Sequence, residues 1–493
     1  MAIMAEKSNI LFLSNGAFKY YNFFNPLAQL FSADGHNVYA AVDSKYTYSL
    51  NRLCEIGFSA TFEFGEFFNA HQTDHRLLAK YNDFDLNGAL LSDFERAQVY
   101  DIWGDAADID FFDRLKSALL CFFENIFERH SIDTVVYENV SNTFAYFALI
   151  VATRFGADYC GLSGSRLPGR FTISGDPLSD DRAEVVFHSI RDGSMKVDAD
   201  VIFWIRNYIT RIESISPDYM STNGLGRVSL IGRYWKWRRA LKIGALARHV
   251  FDRRTANFQI GNPLRTYFNL FLRNVRRRLR VTAVSQLYEK AKPGEAFLLY
   301  PLHFHPESST LVLAGAYLDE YEVIRNIAFS LPEGVRLYVK DHASAWGYPP
   351  IAFYRRLHRL PNVRLLGPQE PTKKLIKDSN GVITLTSTVG YEALLLKKQV
   401  FLYGSVFYEF HCGVTRITNP ARLHKILQDS LRSPPIWSDQ YNIDFVAAYH
   451  NITFPGSLNL MQDKTEAKAH ASEIFPHLKK HIAALKRLRE ISN

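Results

Sequence analysis

Residues 296–310 read AFLLYPLHFHPESST. The run AFLL has the length and unbroken apolar character of a short strand buried on both faces. The segment after it carries more than a corner needs. A turn asks for Gly, Asn, Asp or Pro, whereas His303, His305, Glu307, Ser308, Ser309 and Thr310 bring a dense set of hydrogen-bonding groups to one strand end. Pro306 stiffens the loop, and Ser308 or Ser309 is placed to cap a following helix, whose free N–H groups could receive a phosphate.

Outward from that stretch the pattern repeats. STLVLAGAYLDEYEVIRNIAFSL (309–331) predicts one long helix and GVRLYVK a strand. IAFYRRLHRL, PTKKLIKDS and YEALLLKK predict helices, alternating with the strands NVRLLG, GVITLTS and QVFLYG. Strands interleaved with helices specify a parallel α/β domain. The chain also opens this way: NILFLS, a helical pattern, NVYAAV, and later DTVVYEN (133–139). The polar residues past the first strand, Asn15-Gly16, do not form GxGxxG, so a dinucleotide site of that kind is not expected.

The predicted fold is therefore α/β: two Rossmann-like domains facing across a cleft, of GT-B type, with a basic helical insertion and a C-terminal helical tail. The expected boundaries are 1–226 for an acceptor-side domain and 227–290 for a basic aromatic-rich segment and linker. A nucleotide-sugar-binding domain follows at 291–455, then an amphipathic tail at 456–493. In open α/β sheets ligands bind beyond the carboxyl ends of the strands, so the strand-end loops carry the functional candidates.

Bulk composition agrees with this size and class. At 493 residues, with 47% hydrophobic and 22% charged content, two or three domains are expected. The longest apolar stretch, FAYFALIVATRFGADYCGL (144–162), is broken by Arg154 and Asp158 before the roughly 20 residues of a membrane span. The N-terminus shows no secretory pattern, and Cys54, Cys121, Cys160 and Cys412 are scattered, which points to a reducing, cytoplasmic setting. Charge is uneven: residues 227–280 hold 15 Lys or Arg and one acid, Asp252, within a chain of net charge +8. Cations mixed with Trp235, Trp237, Phe268 and Phe271 suit either nucleic acid or an anionic membrane surface. The apolar content of YFNLFL favours the membrane, so no nucleic acid partner is expected.

Three further groups stand at predicted strand ends. Lys340-Asp341-His342 ends VRLYVK; a Lys and a His there could neutralise a phosphate leaving group. TLTSTVGYEAL (384–394) supplies Ser387 and Thr388 at a helix start, Gly390 for close backbone approach, and Glu392 to grip a ribose or sugar hydroxyl, or else to complement the helix dipole. Glu138-Asn139 ends DTVVYEN, where a carboxylate could act as general base or as a helix cap. Asp108-Ile109-Asp110 has the spacing of a metal-binding pair but lacks a preceding strand, so it reads as a helix start. His303-x-His305 has no third ligand near it in sequence, and no metal site is expected.

Taken in order, YPLHFHPES, LYVKDH and ITLTSTVGYEALL resemble the bacterial capsule polysaccharide biosynthesis proteins, a group that includes the capsule Kdo transferases. SGSRLPGRF after the YEN strand is similar to their arginine-containing segment. The resemblance implies a GT-B fold, a nucleotide-activated sugar donor that could be CMP-linked, and a polysaccharide or lipid-linked glycan acceptor, with no separate cofactor. The family's Lys-Glu-His-Pro falls on Lys340, Asp341, His342 and Ala343, with Asp for Glu and Ala for Pro. Strand ends and resemblance together give the expected catalytic residues as Glu138, from its strand end alone, with His305 and His342, and the expected donor-binding residues as His303, Glu307, Ser308, Lys340, Ser387, Thr388, Gly390 and Glu392. Two other readings share these features: a nucleotide-sugar epimerase of the same fold, and a non-catalytic component of a polysaccharide assembly or export complex.

Overall fold

The computed structural model describes residues 7–104, 108–215, 250–251 and 257–492. The chain divides into two compact units, Met1–Ser179 with Pro217–Phe268 and Thr453–Asn493, and Asp180–Ser216 with Asn269–Ile452. This division departs from boundaries drawn along the sequence: residues 180–216 go with the C-terminal unit, and the tail returns to the N-terminal one.

The first unit is built on strands β1 (Asn9–Ser14), β2 (Asn37–Val42), β3 (Ala60–Glu63), β4 (Thr134–Glu138), β5 (Asp158–Gly164) and β6 (Arg170–Ser174). Every residue of β4 is buried, as expected for a strand covered on both faces. β1 pairs in parallel with β2, from Asn9 opposite Asn37 to Ser14 opposite Val42, and with β4 on its other side. The chain thus runs outward from β1 through β2 and β3, then returns to β4 beside β1 and proceeds the other way. That reversal is a topological switch point, which opens a crevice at the carboxyl ends of two neighbouring strands. Asp108 accepts a hydrogen bond from the Phe111 N–H and caps the helix Ile109–His130, in line with its reading as a helix start.

The second unit holds six parallel strands: β7 (Phe297–Pro301), β8 (Arg336–Lys340), β9 (Val363–Leu366), β10 (Gly381–Thr384), β11 (Val400–Leu402) and β12 (Val414–Arg416). Their order is β12-β11-β10-β7-β8-β9. Here too the direction reverses, between β7 and β10, and places a second switch point. Two Rossmann-like units are therefore present. The long helix expected over 309–331 is broken. A four-residue helix, Ser308–Leu311, and a turn at Gly315–Tyr317 precede the helix Glu320–Ser330, which Asp319 starts by accepting from the Glu322 N–H. A local cap and a glycine override the apolar periodicity.

A last strand, β13 (Thr453–Pro455), pairs antiparallel with β6 and closes that edge of the first sheet. It leads into the helix Lys464–Ser492, whose Ala467, Ala471, Ile474, Leu478 and Ile482 recur every three or four residues and are buried in the first unit's core. Burying the three large side chains contributes roughly 5–8 kcal/mol, enough to hold the tail against the unit.

Candidate functional site

At the carboxyl edge of the second sheet, one buried acid organises the first loop. Glu320 Oε1 accepts from the His303 backbone N–H (3.0 Å) and the Tyr300 hydroxyl (3.1 Å), and lies 2.7 Å from His303 Nδ1. Its other oxygen is 3.3 Å from His305 Nε2. Burial alone would raise the Glu320 pKa, but the bonds from His303 and His305 outweigh it and hold the carboxyl down at about 2. The other ring nitrogen of His303, Nε2, is 3.2 Å from Thr384 Oγ1 and 3.4 Å from the Thr386 N–H that points to it. His303 therefore carries its proton on Nδ1 and ties the end of β7 to the end of β10. It is 8% exposed and acts as a brace, where the sequence reading made it a direct donor contact.

The second loop is held from beneath. Asp341 is buried, accepts from the Tyr288 hydroxyl and takes the His342 N–H at 2.7 Å, so it anchors the next backbone group. Burial raises its pKa. Lys340 is also buried; its ammonium donates to the carbonyls of Pro368 (3.3 Å) and Asp341 (3.4 Å), and burial lowers its pKa. His342 Nδ1 accepts from the Ser344 N–H at 3.1 Å, which leaves the proton on Nε2. Burial, with the nearby His303 and Lys340, brings the His342 pKa down to about 4. At neutral pH it is thus an uncharged hydrogen-bond donor, whereas the sequence reading had it neutralising charge.

The third segment starts a helix. Ser387 caps Thr388–Leu395 by accepting from the Val389 N–H at 3.2 Å, and its own N–H donates to Thr384 Oγ1. Ser387 and Thr388 are partly exposed. Gly390 does allow a close approach, but by the chain itself: a Cβ there would sit 2.5 Å from the Tyr408 hydroxyl, which donates to the Ser387 carbonyl. Glu392 pairs with Lys373 at 2.6 Å. Glu307 is exposed, and its carbonyl caps the short helix Ser308–Leu311. The Ser308 side chain lies outside the described residues, and a single turn of helix gives little dipole for the anion contact expected there.

β10, β7 and β8 are neighbours, so their loops share one edge. Leu302 N–H donates to the Lys340 carbonyl at 2.9 Å, and the rings of Phe304 and His342 are 6.3 Å apart. Sequence reasoning missed Glu320, Thr384, Thr386 and Phe304. Only Thr384 and Thr386 carried a signal, as hydroxyls on the same strand end as Ser387.

The first unit's switch point is occupied differently. Glu138 is 9% exposed; burial raises its pKa, although bonds with Ser141 and Tyr20 pull the other way. The Ser141 hydroxyl donates to it at 2.5 Å. Around it, residues 257–260 of the chain lie on the strand ends. Asn257 Nδ2 donates to Ser44 Oγ at 2.6 Å and toward Asp43 Oδ2 at 3.4 Å. Gln259 Nε2 donates to Asn142 Oδ1 (3.0 Å) and Asp93 Oδ2 (3.1 Å), and Ile260 fills the space beside Gly16. Asp43 is fully buried, and burial pushes its pKa up to about 7 against its bonds to Thr47, Asn257 and Ser44.

Of the basic segment, residues 227–249 and 252–256 lie outside the described residues. The helix Pro263–Ser285 has two faces. Arg273, Arg277 and Arg280 bond to carbonyls of the second unit. On the other side Tyr267, Phe268, Phe271 and Leu279 are exposed with Arg276 and Arg278. Among the described residues no helix is long and apolar enough to cross a membrane, and no group of His, Cys, Asp or Glu could hold a metal ion.

Comparison with known proteins gives one sequence match. Residues 245–433 match the family model for capsule polysaccharide biosynthesis proteins, and no curated protein matches. Among solved structures, KpsC of Thermosulfurimonas dismutans, a beta Kdo 2,4 transferase, is similar at 15% identity, covering 65% of this chain and 80% of its own, with a TM-score of 0.35. The UDP-GlcNAc 2-epimerase of Methanocaldococcus jannaschii is similar at 12% identity over 90% and 98%, with a TM-score of 0.26. The calicheamicin glycosyltransferase CalG4 is similar at 11% over 97% and 98%, with a TM-score of 0.28. At such scores these likenesses carry no argument about activity. The family match rests on its own, and it spans all three strand-end motifs: over residues 245–433 the chain bears the signature of the capsule polysaccharide biosynthesis proteins.

Proposed function

We propose that the chain is a glycosyltransferase that moves a sugar from a nucleotide-activated donor, CMP-linked as in CMP-Kdo, to a growing bacterial capsular or other surface polysaccharide. The observation that carries this is the shared edge of β10, β7 and β8, where His305, His342, Ser387 and Thr388 are partly exposed above a buried Lys340. A departing nucleoside phosphate needs its developing charge met by fixed donors. His342 Nε2–H, the Thr388 N–H at the helix start and the Lys340 ammonium are such donors. The Thr386 hydroxyl, buried and without a hydrogen-bond partner among the described residues, adds one more. His303 and Glu320 hold His305 in place. Glu392, on the same helix, is assigned to the ribose or sugar, in exchange for its Lys373 partner.

Glu138 is the proposed general base for the acceptor hydroxyl. Its raised pKa makes it a stronger base once ionised. In this reading the leaving charge is met by protein donors, and Asp108 of the acidic pair serves as a helix cap. The exposed aromatic and basic face of Pro263–Ser285 supports docking on the anionic inner surface of the cytoplasmic membrane, beside a lipid-linked acceptor.

Isothermal titration with CMP, UDP and GDP, followed by product analysis with the cognate nucleotide sugar, tests this. A transferase binds one nucleotide and turns over only with acceptor. An epimerase alters the nucleotide sugar alone, and a scaffold binds none.

A further inference from the structure

We infer that the helix Pro263–Ser285 is a clamp that positions His305 and His342 relative to each other, with Tyr348 as the gripped residue; this rests on the donor site proposed above. Arg273 reaches both loops. Its guanidinium donates to the His305 carbonyl at 3.2 Å and lies 4.3 Å from the centre of the Tyr348 ring. Arg277, one turn on, lies 4.3 Å from the same ring and donates to the Trp346 carbonyl at 2.6 Å. Arg280 donates to the Tyr348 carbonyl at 3.0 Å, and the Tyr348 hydroxyl donates to Asn274 Oδ1 at 3.0 Å.

The loop approaches as closely as backbone allows. Gly347 has φ +77°, and a Cβ there would lie 2.9 Å from the Arg277 carbonyl oxygen, so the gripped segment needs glycine. The grip passes to His342 within one turn, because the N–H groups of Ala345 and Trp346 both donate to the His342 carbonyl at 2.9 Å. Phe304 completes the link, its ring 6.1 Å from Tyr348 and 6.3 Å from His342. Planar guanidinium groups can stack on a ring and donate along their edge at once, which lysine cannot do. That explains arginine at 273 and 277. These cations hold the catalytic loops, while Arg276 and Arg278 face outward.

The test uses Tyr348→Ala and Tyr348→Phe in the full chain, with two readouts. One is calorimetric affinity for whichever of CMP, UDP and GDP the unaltered protein binds. The other is the rate of diethylpyrocarbonate acylation of His342, read by peptide mass spectrometry. His342 is neutral, so access limits that rate. Tyr348→Ala is expected to weaken nucleotide binding and speed His342 acylation, each by about tenfold, with Tyr348→Phe near the unaltered protein. If Tyr348→Ala does not fold, Arg273→Lys keeps charge and stem but loses the stacked fork, and should move both readouts in the same direction. Unchanged acylation and affinity in a folded Tyr348→Ala or Arg273→Lys would overturn the clamp. If the unaltered protein binds none of the three nucleotides, the donor site fails, and the acylation rates still decide the clamp.

Discussion

The two switch points have the same topology and are lined differently. Beside β1 and β4, the polar groups at the strand ends are bonded to the chain's own Asn257 and Gln259, and the carboxyls of Asp43 and Glu138 are pushed up by burial. Beside β7 and β10, the groups are braced from below by Glu320 and Asp341, yet several remain partly exposed above. There the bonds from His303 and His305 hold the Glu320 carboxyl down against burial, while burial raises Asp341 and lowers His342. The first edge, which also carries the proposed base Glu138, is lined by the chain's own Asn257 and Gln259; at the second, His305, His342, Ser387 and Thr388 remain partly exposed.

The strongest way to break this contrast is to remove the donors. Lys340→Ala or His342→Ala should lower transfer by about a hundredfold or more with the thermal midpoint little changed for His342→Ala. Full activity in both would remove the second edge from the chemistry. Next comes the brace. Glu320→Ala leaves His303 and His305 without their shared acceptor, and should lower stability by about 2–4 kcal/mol, measured by urea unfolding, with donor affinity falling in parallel.

The contrast also predicts opposite pH responses. Asp43 has a folded pKa of about 7, above the ordinary carboxyl value of 3.8, so its stabilising contribution is complete below the lower value and lost as pH rises through the higher. His342 is lowered from 6.5 to about 4, so its contribution is complete above 6.5 and fades as pH falls toward 4. Hydrogen exchange at pH 5 and pH 7.5, pH values chosen to lie about midway in and just above these windows, should show the first edge better protected at the lower pH, whereas at the second the His342 contribution is opposed by that of Asp341, whose pKa burial raises. Equal or poorer protection of the first edge at the lower pH would contradict the assignment. The smallest expected effect is at the helix start. Gly390→Ala forces the Tyr408 hydroxyl aside, and Tyr408→Phe removes its bond to the Ser387 carbonyl; the latter should cost about 1 kcal/mol and weaken nucleotide binding slightly.

The strands and the order of the three motifs were legible because parallel strands buried on both faces are continuous apolar runs ending in polar loops. That reading extended to Asp108 as a helix cap. Glu320 was not legible: it lies in an ordinary-looking helix start and acts through space on His303 and His305. Neither was the role of Gly390, whose crowding comes from Tyr408, eighteen residues later in the chain. Asn257 and Gln259 sat inside a segment dominated by its positive charge, which hid two neutral amides that bond along the first edge. The break at Gly315–Tyr317 escaped because apolar spacing carries straight through it.

A crystal structure with the bound nucleotide tests the central claim most directly. The account predicts the phosphate oxygens within hydrogen-bonding distance of His342 Nε2 and the Thr388 N–H. A nucleotide whose phosphates lie away from the β10, β7 and β8 edge, with His342 and Ser387 untouched, would contradict it.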